Sequence, residues 1–253
     1  MPKAFVDPDR APRAAFVLDD AHPAGPGVRH RHARGQLVHA AEGVVTVTTP
    51  EGRWVAPPAR AVWVPGGVPH TVGARRPFRL RTLYVTPGFA PLPRVSQVVA
   101  VDRLVAALLA TAATFGADYP PSGPEARLVR VLLDRLPALT VAPLLHLPTP
   151  QGGSLGTIAR ALTEDPADDR TLESWAAALA TTPRTLARRF LAETGLSFGR
   201  WRQQHRLLTA LELLGAGHNV TYVALAVGYH DVSSFIARFK AATGVTPARY
   251  FAP

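Results

Sequence analysis

Thr182-Pro-Arg-Thr-Leu-Ala-Arg-Arg-Phe190 and Asp231-Val-Ser-Ser-Phe-Ile-Ala-Arg-Phe239 are two copies of one pattern in the last third of a 253-residue chain. Each opens on a residue type that caps helices, sets apolar side chains four apart (Leu186 with Phe190, Phe235 with Phe239) and closes on Arg-Phe. Each follows a short alanine-rich segment that reads as a helix, Thr171 to Ala180 and Val220 to Val227. A helix, a tight turn and a capped second helix make a helix-turn-helix unit. A surface helix with solvated arginines explains one copy equally well. It does not explain two copies with matched caps, cores and turns. Two units in about 80 residues predict a chain that grips two successive major-groove segments of a duplex, about 34 Å apart.

Between the repeats, Phe198, Trp201, Leu208 and Leu211 share one face of a longer helix, capped by Ser197 and stopped near Gly215-Ala-Gly217. In the first copy Arg184, Thr185 and Arg188 face outward, with the two arginines one turn apart. An arginine near the start of a helix lying in the groove bonds guanine O6 and N7, worth roughly 1–3 kcal/mol of discrimination. The second copy offers Ser233, Ser234 and Ala237, which permit close approach but carry less sequence information. Arg189 and Arg238 recur beside the core Phe, as phosphate or structural arginines.

Composition narrows the field. No apolar run reaches the roughly 18 residues that span a bilayer, and Met1–Arg13 lacks the apolar segment of a signal peptide. A soluble, cytoplasmic protein with no membrane partner is expected. Cysteine is absent, which excludes disulfides, thiolate zinc sites and cysteine nucleophiles, including a DNA-repair methyl acceptor. The net charge of +10 suits a polyanion, yet only nine basic against four acidic residues lie from Thr171 onward, so half the surplus is upstream. Nearly all of it is Arg, which the abundance of Ala, Pro and Gly ties to a GC-rich genome. Charge alone is weak support.

Residues 28–85 are rich in Val, Thr, Gly and Pro, with alternation in Val44-Val-Thr-Val-Thr48 and Ala61-Val-Trp-Val64. Short strands broken by Gly and Pro predict a β-sandwich or barrel. Leu104, Leu108, Thr111 and Phe115 can share one helical face, as can Leu128, Leu132 and Leu136, so a helical hairpin is expected to pack on the barrel or on a second subunit. Prolines and paired glycines between Pro137 and Gly153 mark a linker or a wrapped connector.

His30-Arg-His32 is followed by Gln36, and His70 closes Pro65-Gly-Gly-Val-Pro-His70 on a later strand. Histidines at i and i+2 of a strand point to one face, here the barrel interior, and a third completes a facial set. Imidazole suits Zn, Ni, Fe or Cu. Three readings stay open: a divalent transition metal on His30, His32 and His70, with Gln36 as a further candidate ligand; a metal-free effector pocket; or structural histidines. Trp54, Trp63, Phe78 and Tyr84 read as barrel walls, with Trp54, Trp63 and Tyr84 the candidates to line an effector pocket.

The stretch 28–74 resembles the two cupin motifs. Gln36 stands where metal-binding cupins place Glu, and the asparagine expected after the last histidine is missing. Residues 155–251 resemble the DNA-binding domain of the AraC/XylS family of transcription regulators. The resemblance rests on Arg184-Thr-Leu-Ala-Arg-Arg-Phe190, Glu193-Thr-Gly-Leu-Ser-Phe198, Trp201-Arg202, Val227-Gly-Tyr229 through Phe235, Phe239-Lys240, Gly244 and Thr246-Pro247. It implies seven helices in two helix-turn-helix subdomains joined by a long helix. It also implies base-reading positions at Arg184 and Arg188, then Val232, Ser233 and Ala237, with Thr182, Thr185, Arg189, Ser234 and Arg238 beside them on the DNA face. Ala180 departs from the family, which often has glycine at that turn.

The expected fold is therefore α+β in two domains. A cupin-like β-barrel occupies 1–95, a helical hairpin with a dimerisation role 96–140, a linker 141–154, and an all-α domain with two helix-turn-helix units 155–253. The resemblance implies a regulator, usually an activator, that binds operator DNA and answers a small-molecule or metal effector in the barrel. RNA polymerase and a second copy of the chain are the further partners it implies. The alternative from another class is a metal-dependent cupin enzyme (a dioxygenase or isomerase) with a DNA-binding appendix. The missing carboxylate at Gln36 weighs against it, so no catalytic residue is expected.

Overall fold

Alternating Val, Ala and aromatic side chains build the strands of the first unit. The computed structural model describes residues 6–150 and 152–251, so the expectation for Met1–Arg13 falls partly outside the described residues. The first unit comprises Met1–Thr49 and Trp54–Leu145, the second Pro50–Arg53 and His146–Pro253.

The strands are β1 (Ala15–His22), β2 (Gly35–Glu42), β3 (Val45–Thr49), β4 (Gly52–Ala56), β5 (Arg60–Val64), β6 (Thr71–Gly73), β7 (Phe78–Val85) and β8 (Gln97–Ala100). Five of them form an antiparallel sheet in the order β1-β7-β2-β5-β8, while β6, β3 and β4 are neighbours in a second sheet. Strands β1 and β8 lie outside the stretch whose alternation was legible. In β1 the acidic pair Asp19-Asp20 masks the pattern: Asp19 accepts from Arg79 Nε at 2.5 Å and Arg81 Nε at 3.1 Å, both on the paired strand β7.

Two helices, α1 (Arg103–Ala112) and α2 (Pro124–Arg135), cover the five-stranded sheet. Their Val105, Leu109, Val129, Leu132 and Leu133 pack with Val17, Leu37, Trp63 and Leu83, so the hairpin packs on its own β domain. The face predicted for α1 is one residue off. Leu104 is 51% exposed and Phe115 lies beyond the helix, whereas Val105, Leu109 and Ala112 are buried. Leu104, Val105, Leu108 and Leu109 are all apolar, so periodicity alone does not choose between the two faces. Asp102 sets the helix start by accepting from Val105 N at 2.7 Å.

Within the stretch 141–154, expected to be a linker or a wrapped connector, residues 142–148 are ordered and wrap back onto the sheet. Ala142 N donates to Val98 O at 2.8 Å, a 3-10 turn covers Pro143–Leu145, and β9 (His146–Pro148) follows. Residues preceding prolines favour extended backbone, which suits pairing as well as it suits a linker.

The second unit contributes α3 (Gly153–Glu164), α4 (Leu172–Ala178), α5 (Pro183–Thr194), α6 (Phe198–Gly215), α7 (Val220–Ala226), α8 (Val232–Thr243) and α9 (Pro247–Tyr250). Among the described residues these are the seven helices that the resemblance implied. Arg53 belongs to this unit: its guanidinium lies 3.3 Å from Thr209 Oγ1 and 3.8 Å from Glu212 Oε1, both on α6.

Candidate functional site

The two helix-turn-helix units repeat each other bond for bond. Thr171 Oγ1 caps α4 by accepting from Ser174 N, and Asn219 Oδ1 caps α7 by accepting from Tyr222 N. After each helix the chain doubles back through one long hydrogen bond, Thr181 N to Ala176 O and Tyr229 N to Ala224 O, both 2.9 Å. Thr182 then caps α5 and Asp231 caps α8, at 3.2 and 2.7 Å, and both helices end on a left-handed glycine, Gly195 or Gly244. The turns need a left-handed residue too. Gly228 supplies it at φ 81°, but in the first unit Ala180 sits there at φ 49°. That backbone costs an L-residue roughly 1–2 kcal/mol.

Each recognition helix is plugged in by its apolar pair. Leu186 and Phe190 are buried, and Phe190 meets Phe198 and Trp201 edge-on at 5.5 Å. Phe235 and Phe239 are buried against Tyr229 and Tyr250. The opposite faces are open: Arg184, Arg188 and Arg189 on α5, and Ser233, Ser234, Ala237 and Arg238 on α8 are exposed. Val232 and Thr185 are half-buried. Thr182 has a local task, since its hydroxyl donates to Thr185 Oγ1 at 2.9 Å while it caps the helix.

Arg202 and Arg189 play different parts. Arg202 donates to Arg170 O at 2.9 Å and lies over the Phe198 ring, so it braces the unit. Arg189 is exposed at the surface of α5. A third, Arg206, was missed. Its guanidinium bonds the carbonyls of Pro166, Asp168 and Gly228, locking the second turn to the α3–α4 connection. A Cβ on Gly228 would stand 2.6 Å from its Nη2. The signal was the glycine itself, which clears space for that side chain.

In the β domain the structure brings His30, His32 and His70 together, with one ring nitrogen from each within 4.8 Å of the others. They do not lie within strands, contrary to expectation. His30 and His32 precede β2, and His30 pairs with His70 through two backbone bonds, at 2.9 and 2.8 Å. Gln36 on β2 joins them: its Oε1 is 3.1 Å from His32 Nε2 and 2.8 Å from His70 Nε2. Burial pushes the His70 pKa down to about 4, aided by the charges of His30 and His32 and opposed by its bond to the Val68 carbonyl. The ring is neutral at pH 7.

The three aromatic residues expected to wall one pocket are not brought together. Tyr84 joins the histidines: its hydroxyl is 3.4 Å from Gln36 Nε2, and its ring lies edge-on to His32. Trp63 pairs in register with Leu37 rather than Gln36, so it points to the other face, packs under α1 and α2, and bonds the Pro93 carbonyl. Trp54 is buried with Nε1 bonded to Thr49 Oγ1.

A duplicated duplex-reading unit behind a β domain with inward polar groups defines a class: DNA-binding regulators with a ligand-binding half. Known proteins place the chain within it. Residues 175–252 match the helix-turn-helix domain family, and residues 14–112 match the AraC-like ligand binding domain family. The HTH-type transcriptional regulator NimR of Escherichia coli (strain K12) is 35% identical over 223 residues, covering 88% of this chain and 81% of that protein. The HTH-type transcriptional regulator RipA of Corynebacterium glutamicum is 33% identical over 123 residues, 49% of this chain and 35% of its own. A crystal structure of a DNA-binding transcriptional dual regulator from Escherichia coli K-12 covers 40% of this chain and 90% of its own, at 29% identity and a TM-score of 0.36. The chain belongs to the AraC family of transcriptional regulators: an N-terminal ligand-binding domain followed by a C-terminal helix-turn-helix DNA-binding domain. None of these relatives supports the enzyme alternative, and no helix among the described residues is long and apolar enough to cross a membrane.

Proposed function

We propose that α5 reads bases in the major groove through Arg184 and Arg188, while α8 anchors the second unit through Ser233, Ser234, Ala237 and Arg238. The observation that carries this is the pair of exposed guanidinium groups one turn apart on α5, beside a helix start fixed by the Thr182 cap. Each bidentate arginine–guanine contact supplies roughly 1–3 kcal/mol of discrimination. The α8 side chains are too short for such contacts, so they contribute close fit and, through Arg238, a phosphate contact. Footprinting of Arg184→Ala and Arg188→Ala on the natural operator tests the reading. Each variant loses sequence preference and keeps weak, salt-sensitive binding; an unchanged protection pattern refutes it.

The β domain, on this reading, receives the effector at its histidine cluster, and the protein works in the cytoplasm as an activator with RNA polymerase as its partner. Leu104 and Val131, exposed on α1 and α2, support pairing of two chains through the hairpin. Sedimentation of wild type and Leu104→Glu distinguishes a dimer that the substitution splits from a monomer that it leaves unchanged.

A further inference from the structure

The far nitrogens of the three clustered histidines decide what the near ones present. Nδ1 of His30, His32 and His70 lies 2.9, 2.7 and 2.8 Å from the carbonyl oxygens of Val28, Arg34 and Val68. A carbonyl oxygen only accepts, so each Nδ1 carries the hydrogen and donates it. In a neutral ring Nε2 is then a bare lone pair. Three backbone bonds thus fix three imidazoles in one tautomer, as outer partners do for metal-ligating histidines. Lone pairs gathered in one place make no bonds with each other and repel an anion. They suit a cation.

Gln36 sharpens the point. Its Oε1 faces the Nε2 atoms of both His32 and His70, at 3.1 and 2.8 Å. An acceptor set against two lone pairs is repulsive unless positive charge lies among them. Protonating both rings would place two charges on imidazoles whose centroids are 5.2 Å apart, in side chains that are both buried. A half-turn of the carboxamide offers the alternative. Its amide then donates one hydrogen to each Nε2, and its oxygen accepts from the Tyr84 hydroxyl.

We propose that His30, His32 and His70 bind one divalent transition-metal ion through Nε2, with Gln36 Oε1 as fourth donor, and that the Gln36 carboxamide turns over between the metal-bound and metal-free forms. This rests on the reading of the β domain as the effector-binding half. Three imidazoles and one amide oxygen favour zinc, nickel, cobalt or copper over calcium and magnesium, which take oxygen ligands. Ligand nitrogens lie roughly 2.0–2.1 Å from zinc, so the donors draw closer together than their present spread of up to 4.8 Å. His30, the exposed member, makes most of that movement. The carboxamide turn also changes what Tyr84 meets, from an accepting oxygen to a donating amide, so occupancy is felt on β7.

Calorimetric titration of the untagged full chain with zinc sulfate and nickel chloride tests the site, with cobalt chloride as a visible-absorption probe. One ion per chain is expected. His30→Ala leaves the buried part of the cluster in place, and it should weaken binding by more than about a hundredfold, beyond the roughly 10–100-fold loss typical of an outer partner. Gln36→Leu should weaken it about tenfold and change the cobalt spectrum, while Gln36→Glu, which adds a negative charge, should tighten it. A wild-type chain that binds no ion overturns the site. Equal affinity and an identical cobalt spectrum in wild type and Gln36→Leu overturn the role given to Gln36. Circular dichroism confirms that each variant is folded. Footprinting of the same preparations reports on α5 independently, so a failed titration leaves the DNA-reading assignment standing.

Discussion

Ala180 and Gly228 occupy the same place in two copies of one turn, and the difference between them can be measured. Ala180 holds a left-handed backbone at φ 49° with a side chain that disfavours it. Ala180→Gly relieves roughly 1–2 kcal/mol of strain and adds back roughly 0.4–1 kcal/mol of unfolded-state entropy. A net gain of about 0.5–1 kcal/mol in urea unfolding is expected, and a loss would mean the turn is not strained. The reverse change, Gly228→Ala, combines the same backbone penalty with a Cβ set 2.6 Å from Arg206 Nη2, so it should destabilise by more than Ala180→Gly stabilises. The turn position was legible from the repeat itself. Arg206 was not, because nothing local to 206 records that its guanidinium reaches Pro166, Asp168 and Gly228. Arg184 and Arg188 were legible because burying Leu186 and Phe190 leaves them no direction but outward.

For the helices, caps and apolar spacing carried most of the information. Thr171, Thr182, Ser197, Asn219 and Asp231 each cap a helix, and each helix starts at the next residue. The consequence for α5 is testable. Thr182→Ala removes the acceptor for Thr185 N and should cost about 1 kcal/mol of stability, with Thr182→Ser restoring most of it. Because Arg184 lies in the first turn, fraying should also weaken operator binding, which fluorescence anisotropy reads directly. Equal anisotropy curves for wild type and Thr182→Ala would show that the first turn is held by the DNA rather than by its cap. The strands were harder to read. Trp63 and Tyr84 both read as barrel walls, and the sequence does not say which of them lines the pocket. Whether two strand residues share a face depends on register, and here Leu37 pairs with Trp63 while Gln36 pairs with Tyr84. That one-residue offset is set by loops and pairing partners, which a single sequence does not record. The histidines meet outside the strands because the backbone pairing of His30 with His70 does the work assigned to a strand.

At the scale of the whole molecule, sequence order suggested domains laid end to end, yet the second unit also takes in Pro50–Arg53. No composition shift marks those residues; long-range contacts such as Arg53 with Thr209 and Glu212 decide their membership. The same packing buries His205, whose two ring nitrogens have no hydrogen-bond partner among the described residues. Burial pushes its pKa down to about 3, and the nearby charges of Arg53 and Arg206 push the same way. In the first unit, burial and then Arg81 push His39 down to about 4. Both folded values lie below the ordinary 6.5, so between them and 6.5 the unfolded chain binds more protons than the folded one. Stability contributed by the neutral rings is present above pH 6.5 and is lost as pH falls toward about 4 for His39 and about 3 for His205. The loss is on the order of 3 kcal/mol for His39 and about 5 kcal/mol for His205, a large fraction of a typical domain's stability. Urea unfolding followed by circular dichroism from pH 7.5 downward should therefore show a falling midpoint below pH 6.5. His205→Phe keeps an aromatic ring stacked on Trp201, now 5.4 Å away, and removes the titrating group. Its midpoint should fall less steeply with acid than that of wild type. A variant that retains the full wild-type slope would show that protonation of His205 does not set the acid limit of the helical unit.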